Sequence, residues 1–412
     1  MNKFEEVQLK DIADVYLSNV DKKYNDNEKE VRLCNFIDIY NNWEIKKSMY
    51  NNFMIATVKK EEFQKFKLKK GMIALTKDSE TREDIGIASY VADDFEDVVL
   101  GYHTILIVPK KDKVNSSYLN AYLKNKVARK YFANQASGSG QRYTLSKESV
   151  ENLKVFLPNM KVQNEIGNFI SNINQKIDII KQENDLFEKM ITLIYNYWFL
   201  QFDFPDENGK PYKSSGGKMV WNEELKKEIP EDWNVRIIRD MIKENPKSNI
   251  KASKIKNENL GNIPFFISGE EIHNCTEVLV KGKNLFLNTG GNAGIKFFYG
   301  KAAYSTDTWS IRCIDNLEIY LYLYLKSIKE DSFYKKYFSG TGLKHLQKDL
   351  LKDTKILEPK KEIIDKFNLI VDDLYIKKSN IYYENKELEN LKDFLLPLLM
   401  NGQVTFKNDK DS

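Results

Sequence analysis

The feature that most constrains this chain is a repeat: the stretch from Pro158 to Trp198 recurs about 201 residues later, beginning at Pro359. In the first copy Ile166, Ile173, Ile180, Phe187 and Ile194 fall every seven residues, with Phe169, Met190 and Tyr197 between them. In the second, Phe367, Leu374, Ile381, Leu388 and Leu395 repeat the series, with Ile370, Leu391 and Leu398 between. An apolar period of seven predicts a long amphipathic helix with one buried seam. From Val162 to Tyr197 the pattern lasts about five heptads, roughly 54 Å of helix at 1.5 Å per residue.

Both copies interrupt the seam in the same way, with Lys176 and Glu183 in the first and Lys377 and Glu384 in the second. If the helices run antiparallel about a pseudo-twofold axis, Lys176 comes near Glu384 and Glu183 near Lys377. That arrangement disfavours parallel pairing, which sets lysine beside lysine. The repeat continues upstream: Ser137-Gly-Ser-Gly-Gln-Arg-Tyr-Thr-Leu precedes the first helix and Ser339-Gly-Thr-Gly-Leu-Lys-His-Leu the second. Further back, Leu68 to Thr76 answers Leu279 to Thr289, and Thr104-Ile-Leu-Ile-Val answers Thr308-Trp-Ser-Ile-Arg.

The chain therefore reads as globular block, long helix, globular block, long helix. Short β-rich runs, Val98 to Val108 and Asn284 to Asn288, alternate with helical stretches, Ser116 to Asn134 and Leu317 to Tyr337. The expected class is α+β, with two α/β domains separated by two long antiparallel helices forming a coiled coil. The expected boundaries are 1–157 for the first domain, 158–200 for the first helix and 201–229 for a connecting segment. A second domain at 230–357, a second helix at 358–402 and a tail at 403–412 complete the chain. The turn-rich run Asp203 to Lys218 marks the main connection.

A length of 412 residues with 42% hydrophobic residues supplies two or three packed units. No stretch reaches the apolar length of a membrane span, and Met1 to Lys10 is too charged for a secretory signal, so a cytoplasmic protein is expected. Cys34, Cys275 and Cys313 are odd in number and widely spaced, which fits buried thiols better than disulfides or zinc. The net charge of +4 is small but unevenly placed. Residues 1–157 hold 26 basic and 23 acidic side chains, 230–357 hold 20 and 15, and the remainder 18 and 22.

Catalytic signatures are missing. No Pro-Pro occurs among the nine prolines, which excludes the motif that holds a flipped amino group in an amino-methyltransferase. The Gly pairs at 138/140 and 340/342 lack the lysine and helix of a phosphate loop. His103, His273 and His345 are scattered, and no nucleophile elbow is present. What remains is polar loops bearing the side chains that contact phosphates and base edges. The candidate DNA-contacting residues are Lys77, Arg82, His103, Gln141, Arg142 and Tyr143 in the first block. In the second they are Asn288, Thr289, Asn292, Lys296, Lys344 and His345.

This organisation resembles the specificity subunits of type I restriction-modification systems, over nearly the whole chain. The resemblance rests on the Gly138 to Phe156 segment leading to Pro158 and on Tyr195-Asn-Tyr-Trp-Phe followed by Phe202-Asp-Phe-Pro. Ile229-Pro-Glu-Asp-Trp-Asn-Val completes it. It departs where the second block has Leu343-Lys344 against Gln141-Arg142, and where the N-terminal block lacks the Pro-x-x-Trp that opens the second. The resemblance implies two target-recognition domains, each reading half of a bipartite double-stranded DNA sequence, with the helices setting the spacing. It further implies no catalysis and no cofactor in this chain. Its partners would be two modification subunits carrying S-adenosylmethionine, and possibly two restriction subunits using ATP and Mg. Tyr195, Tyr197, Trp198 and Phe199 are the expected docking anchors for those partners. The rival reading is a two-domain interaction scaffold that binds no DNA.

Overall fold

The computed structural model describes residues 4–139, 142–258, 261–328 and 330–406. It is a mixed helix and sheet protein that divides into two compact units, Met1–Asp178 with Leu388–Ser412, and Ile179–Glu387. The two long helices, Met160–Tyr195 and Lys361–Met400, each contribute a segment to each unit.

The first unit is built on a sheet ordered Ala13–Leu17, Thr104–Pro109, Ile73–Thr76, Ala88–Val91, Glu44–Ile45. The second strand in that order, Thr-Ile-Leu-Ile-Val-Pro, is rich in β-branched residues and buried on both faces, as an interior strand requires. A second sheet, Met54–Val58, Lys29–Cys34, Val98–Leu100, packs beside it. The expected single run from Val98 to Val108 is two strands, because the backbone turns at Gly101–His103 and His103 takes a left-handed φ of 68°. The helical stretch is likewise two helices, Ser116–Lys124 and Lys126–Gln135. Asn125 ends the first and caps the second, its Oδ1 accepting from the Val127 and Ala128 amides at 2.8 and 3.0 Å.

The start of the first long helix is fastened to this unit through Asn115, whose amide donates to Gln163 Oε1 at 2.8 Å. Gly167 allows the close approach: a Cβ there would lie 2.8 Å from Asn115 Oδ1 and 3.1 Å from the Tyr118 amide nitrogen.

The second unit repeats this plan with one strand fewer in its main sheet. Its main sheet runs Ile242–Glu244, Thr308–Cys313, Lys283–Asn288, Ile295–Tyr299, and its second sheet Ile272–Cys275, Ile263–Phe266, Ala303–Tyr304. In both second sheets the middle strand pairs antiparallel with one neighbour and parallel with the other. An antiparallel pair, Glu5–Gln8 with Lys154–Leu157 and Asn234–Ile237 with Lys355–Glu358, closes each block before its helix. Even a single hydrogen bond recurs: Tyr118 Oη donates to the Phe156 carbonyl at 2.5 Å, and Tyr320 Oη to that of Leu357 at 2.6 Å.

Within each unit the helix segments run antiparallel. In the first, Ile166 and Ile170 share a core with Leu396, Leu399 and Met400, and Lys392 Nζ donates to Asn174 Oδ1 at 3.1 Å. In the second, Phe199 packs edge-on to Phe367 at 4.9 Å between ring centroids, and the Glu188 carboxylate meets both Lys378 and Lys326. Burial opposes ionisation of Glu188, but Lys378 and Lys326 together hold its carboxyl below the usual range. With Glu188 facing Lys378, Glu183 and Lys377 are offset by about six residues, roughly 9 Å along the axis. Lys176 belongs to the first unit and Glu384 to the second.

Cys34, Cys275 and Cys313 are buried free thiols, and burial pushes all three upward in pKa. Among the described residues no helix is long and apolar enough to cross a membrane.

Candidate nucleic-acid interface

In each unit the loop after the central strand pair meets the Gly-rich hairpin that precedes the closing strand. In the first unit Ser79 and Asp78 ladder with Tyr143 and Thr144, and the Leu145 amide donates to the Lys77 carbonyl at 2.9 Å. In the second, Gly290 bridges to His345, and the Leu346 amide donates to the Thr289 carbonyl at 3.0 Å. The two regions that the sequence set side by side are thus brought together twice, on the same scaffold.

Counting the ladder back from Leu145 and Leu346 gives the true equivalences. Ser137 pairs with Thr144 and Ser339 with His345, so Lys344 takes the place of Tyr143. The second hairpin is one residue shorter, and Leu343, 66% exposed, stands where the first has Arg142.

The first hairpin carries a charged cluster. Arg142 Nη2 donates to Asp78 Oδ2 at 3.2 Å and lies 2.9 Å from His103 Nε2, while His103 Nδ1 contacts the same carboxylate. Burial alone would raise the Asp78 carboxyl. Hydrogen bonds from Thr144 and His103, with the charges of Lys77 and Arg142, hold it below its ordinary value. Tyr102 tilts against the His103 ring at 3.5 Å between centroids. Arg82 sits exposed over Tyr143, with its guanidinium carbon 4.9 Å from the ring centroid. Lys77 is half-buried and is held through its backbone, and Gln141 lies outside the described residues.

In the second unit several expected contact residues serve the loop instead. Asn288 is 5% exposed, and its Nδ2 donates to the Asn292 carbonyl at 3.0 Å, closing the turn from within. Lys296 donates to the Ile267 carbonyl at 2.9 Å and to that of Gly269, and burial lowers its pKa. Neither is available to a groove; both brace the strand ends. Thr289 Oγ1 donates to the Asp307 carbonyl at 2.8 Å. Asn292 and His345 are exposed, and the Lys344 ammonium lies 5.0 Å over the Tyr334 ring.

The expected docking aromatics are corrected more sharply. Tyr195, Trp198 and Phe199 are 2%, 7% and 2% exposed, inside the second unit's core; only Tyr197 faces solvent. The reason is a π-helical turn at Asn196–Leu200, closed by the Gln201 amide on the Asn196 carbonyl at 2.9 Å. It rotates Trp198 and Phe199 onto Phe367 and Tyr320. Phe202 then ends the helix with a left-handed φ of 63° and joins Phe204 against Trp233. The Pro-Glu-Asp-Trp run at 230–233 therefore supplies a core anchor. Sequence reading singled out neither Asp78 nor Glu188; an acid inside a polar loop or an outward helix position looks solvated until its partners are known.

Against this geometry, the sequence matches the family described as Type I restriction modification DNA specificity domain over residues 1–189 and 230–393. It is 25% identical over 320 residues to the type I restriction enzyme MjaIX specificity subunit of Methanocaldococcus jannaschii, covering 72% of this chain and 71% of that one. With the HindI specificity subunit of Haemophilus influenzae it shares 23% identity, covering 98% and 100%. The crystal structure of the type I restriction-modification S subunit from M. genitalium shares the fold, with a TM-score of 0.60 at 14% identity over 97% of this chain and 96% of that one. Matched over most of its length and folded as two repeated blocks with shared long helices, the chain belongs to the type I restriction-modification DNA specificity family.

Proposed function

We propose that this specificity subunit reads a bipartite DNA target, with residues 1–157 recognising one half and 230–357 the other. The observation that carries the proposal is the repeated loop-on-hairpin platform bearing different side chains: Asp78, His103 and Arg142 on one, Asp307, Lys344 and His345 on the other. One scaffold with two different edges suits an asymmetric target, because base edges are distinguished by which donors and acceptors meet them. Arg82, Tyr143, Thr289 and Asn292 complete the proposed contact surface. The helices at 158–200 and 358–402 act as the spacer between half-sites.

In this reading the chain contributes recognition, and methyl transfer belongs to two modification subunits that bring S-adenosylmethionine. Restriction subunits using ATP and Mg would add cleavage where they are present. With a net charge of +4 the isolated subunit makes few phosphate contacts, so much of the affinity comes from its partners. The test is a footprint of the complex co-assembled with its modification subunits. Two protected base clusters separated by an unread gap are expected; a stable complex that protects no defined sequence would favour the scaffold reading.

A further inference from the structure

The cleft beside the first hairpin is lined by Phe36, Tyr40, Glu80, Asp84, His103 and Arg142, with Asp78 at its base. Its charges do not suit a phosphate. Its lining holds three carboxylates, Asp78, Glu80 and Asp84, and a phosphate beside Arg142 would meet the Asp78 carboxylate that already occupies one end of the guanidinium. A base edge carries no net charge and escapes that repulsion. Arg142 is also pre-ordered. Its Nη2 alone is engaged, by Asp78 and the His103 ring, while its side chain stays 57% exposed. Nη1 and Nε have no acceptor among the described residues, so three N–H donors stay open toward the cleft while Nη2 is held in place.

We infer that Arg142 reads a guanine in the half-site of the first domain, donating to the O6 and N7 acceptors that only a G·C pair offers to such a fork in the major groove. The inference rests on the proposed DNA-reading function and deepens it. Asp78 and His103 are positioning residues: the carboxylate fixes the end of the guanidinium, and the left-handed backbone at His103 presents the imidazole beneath it. The second domain does not repeat the device, since Gly290 replaces Asp78 in the ladder and Leu343 replaces Arg142. Its half-site is read by other groups.

The experiment maps methylated adenines by long-read sequencing in cells carrying the modification subunits with the wild-type chain, R142K, or D78N. The first half-site is the one that persists when residues 230–357 are exchanged. R142K keeps the charge and removes the fork. It is expected to relax one guanine of that half by about 10- to 100-fold in discrimination, with the other half unchanged. D78N should relax the same position and no other, a readout that simple loss of stability would not give. A first half without a G·C pair, or R142K methylation that keeps full guanine preference at lower occupancy, overturns the inference. If R142K abolishes methylation, binding of its complex to duplexes with that pair replaced decides: equal binding supports the assignment and retained preference overturns it. A wild-type chain that yields no two-part motif instead overturns the function reading on which it rests.

Discussion

Lys124 is a half-buried amine that the first unit sets beside another. Its Nζ lies 4.7 Å from the centroid of Trp43 and donates to the Asn42 carbonyl at 3.3 Å, while Lys392 sits 4.8 Å over the same ring. Burial, then the charges of Lys392 and Arg129, lower it from 10.5 to about 7. Between those values the unfolded chain holds a proton that the native chain has released. The penalty is therefore full below pH 7 and is relieved as pH rises toward 10.5. Lys124→Met should gain most on wild type near pH 6, and the gain should shrink by up to about 1.4 kcal/mol per pH unit above 7 in denaturant titrations. A pH-independent difference would contradict a depressed amine. At this scale the sequence was least legible. Asn288 and Lys296 look solvent-facing in a Gly-rich run, yet their partners at Asn292, Ile267 and Gly269 turn them inward. Orientation of a polar side chain is set by tertiary neighbours that local composition does not contain.

The long helices were the most legible elements, because a seven-residue apolar period has few other solutions. Their register was not, because it depends on which large side chains interlock and which acid finds lysines. Phe199→Ala should cost about 3–5 kcal/mol of second-unit stability. Tyr197→Ala, on the exposed side of the same turn, should stay within about 0.5 kcal/mol. Equal losses in urea unfolding would mean that the π-turn does not divide them as described. Glu188→Ala strands Lys378, 18% exposed, and Lys326. A loss of about 3 kcal/mol near neutral pH is expected. Since the Glu188 carboxyl is depressed, the wild-type advantage is present above the ordinary carboxylate pKa and disappears as pH falls through the lowered value. An advantage unchanged at acidic pH would rule out the ion-paired cluster as its source.

For the whole molecule, the chain order block, helix, block, helix was readable from the repeat alone, down to the paired loops and hairpins. The division into compact units was not: it cuts both helices and joins the first block to the end of the second helix. The closing antiparallel pair and the Tyr118 and Tyr320 hydrogen bonds recur in both blocks, and the proposed division of DNA reading between two platforms rests on that repetition. Independence of the two platforms is the central claim, and exchange of one tests it most directly. Residues 230–357 would be replaced by the corresponding block of a relative with a different target, and methylated adenines mapped with the modification subunits present. The account predicts a motif in which one half changes and the other half, with its adenine, is retained. A motif altered in both halves by the exchange would contradict it.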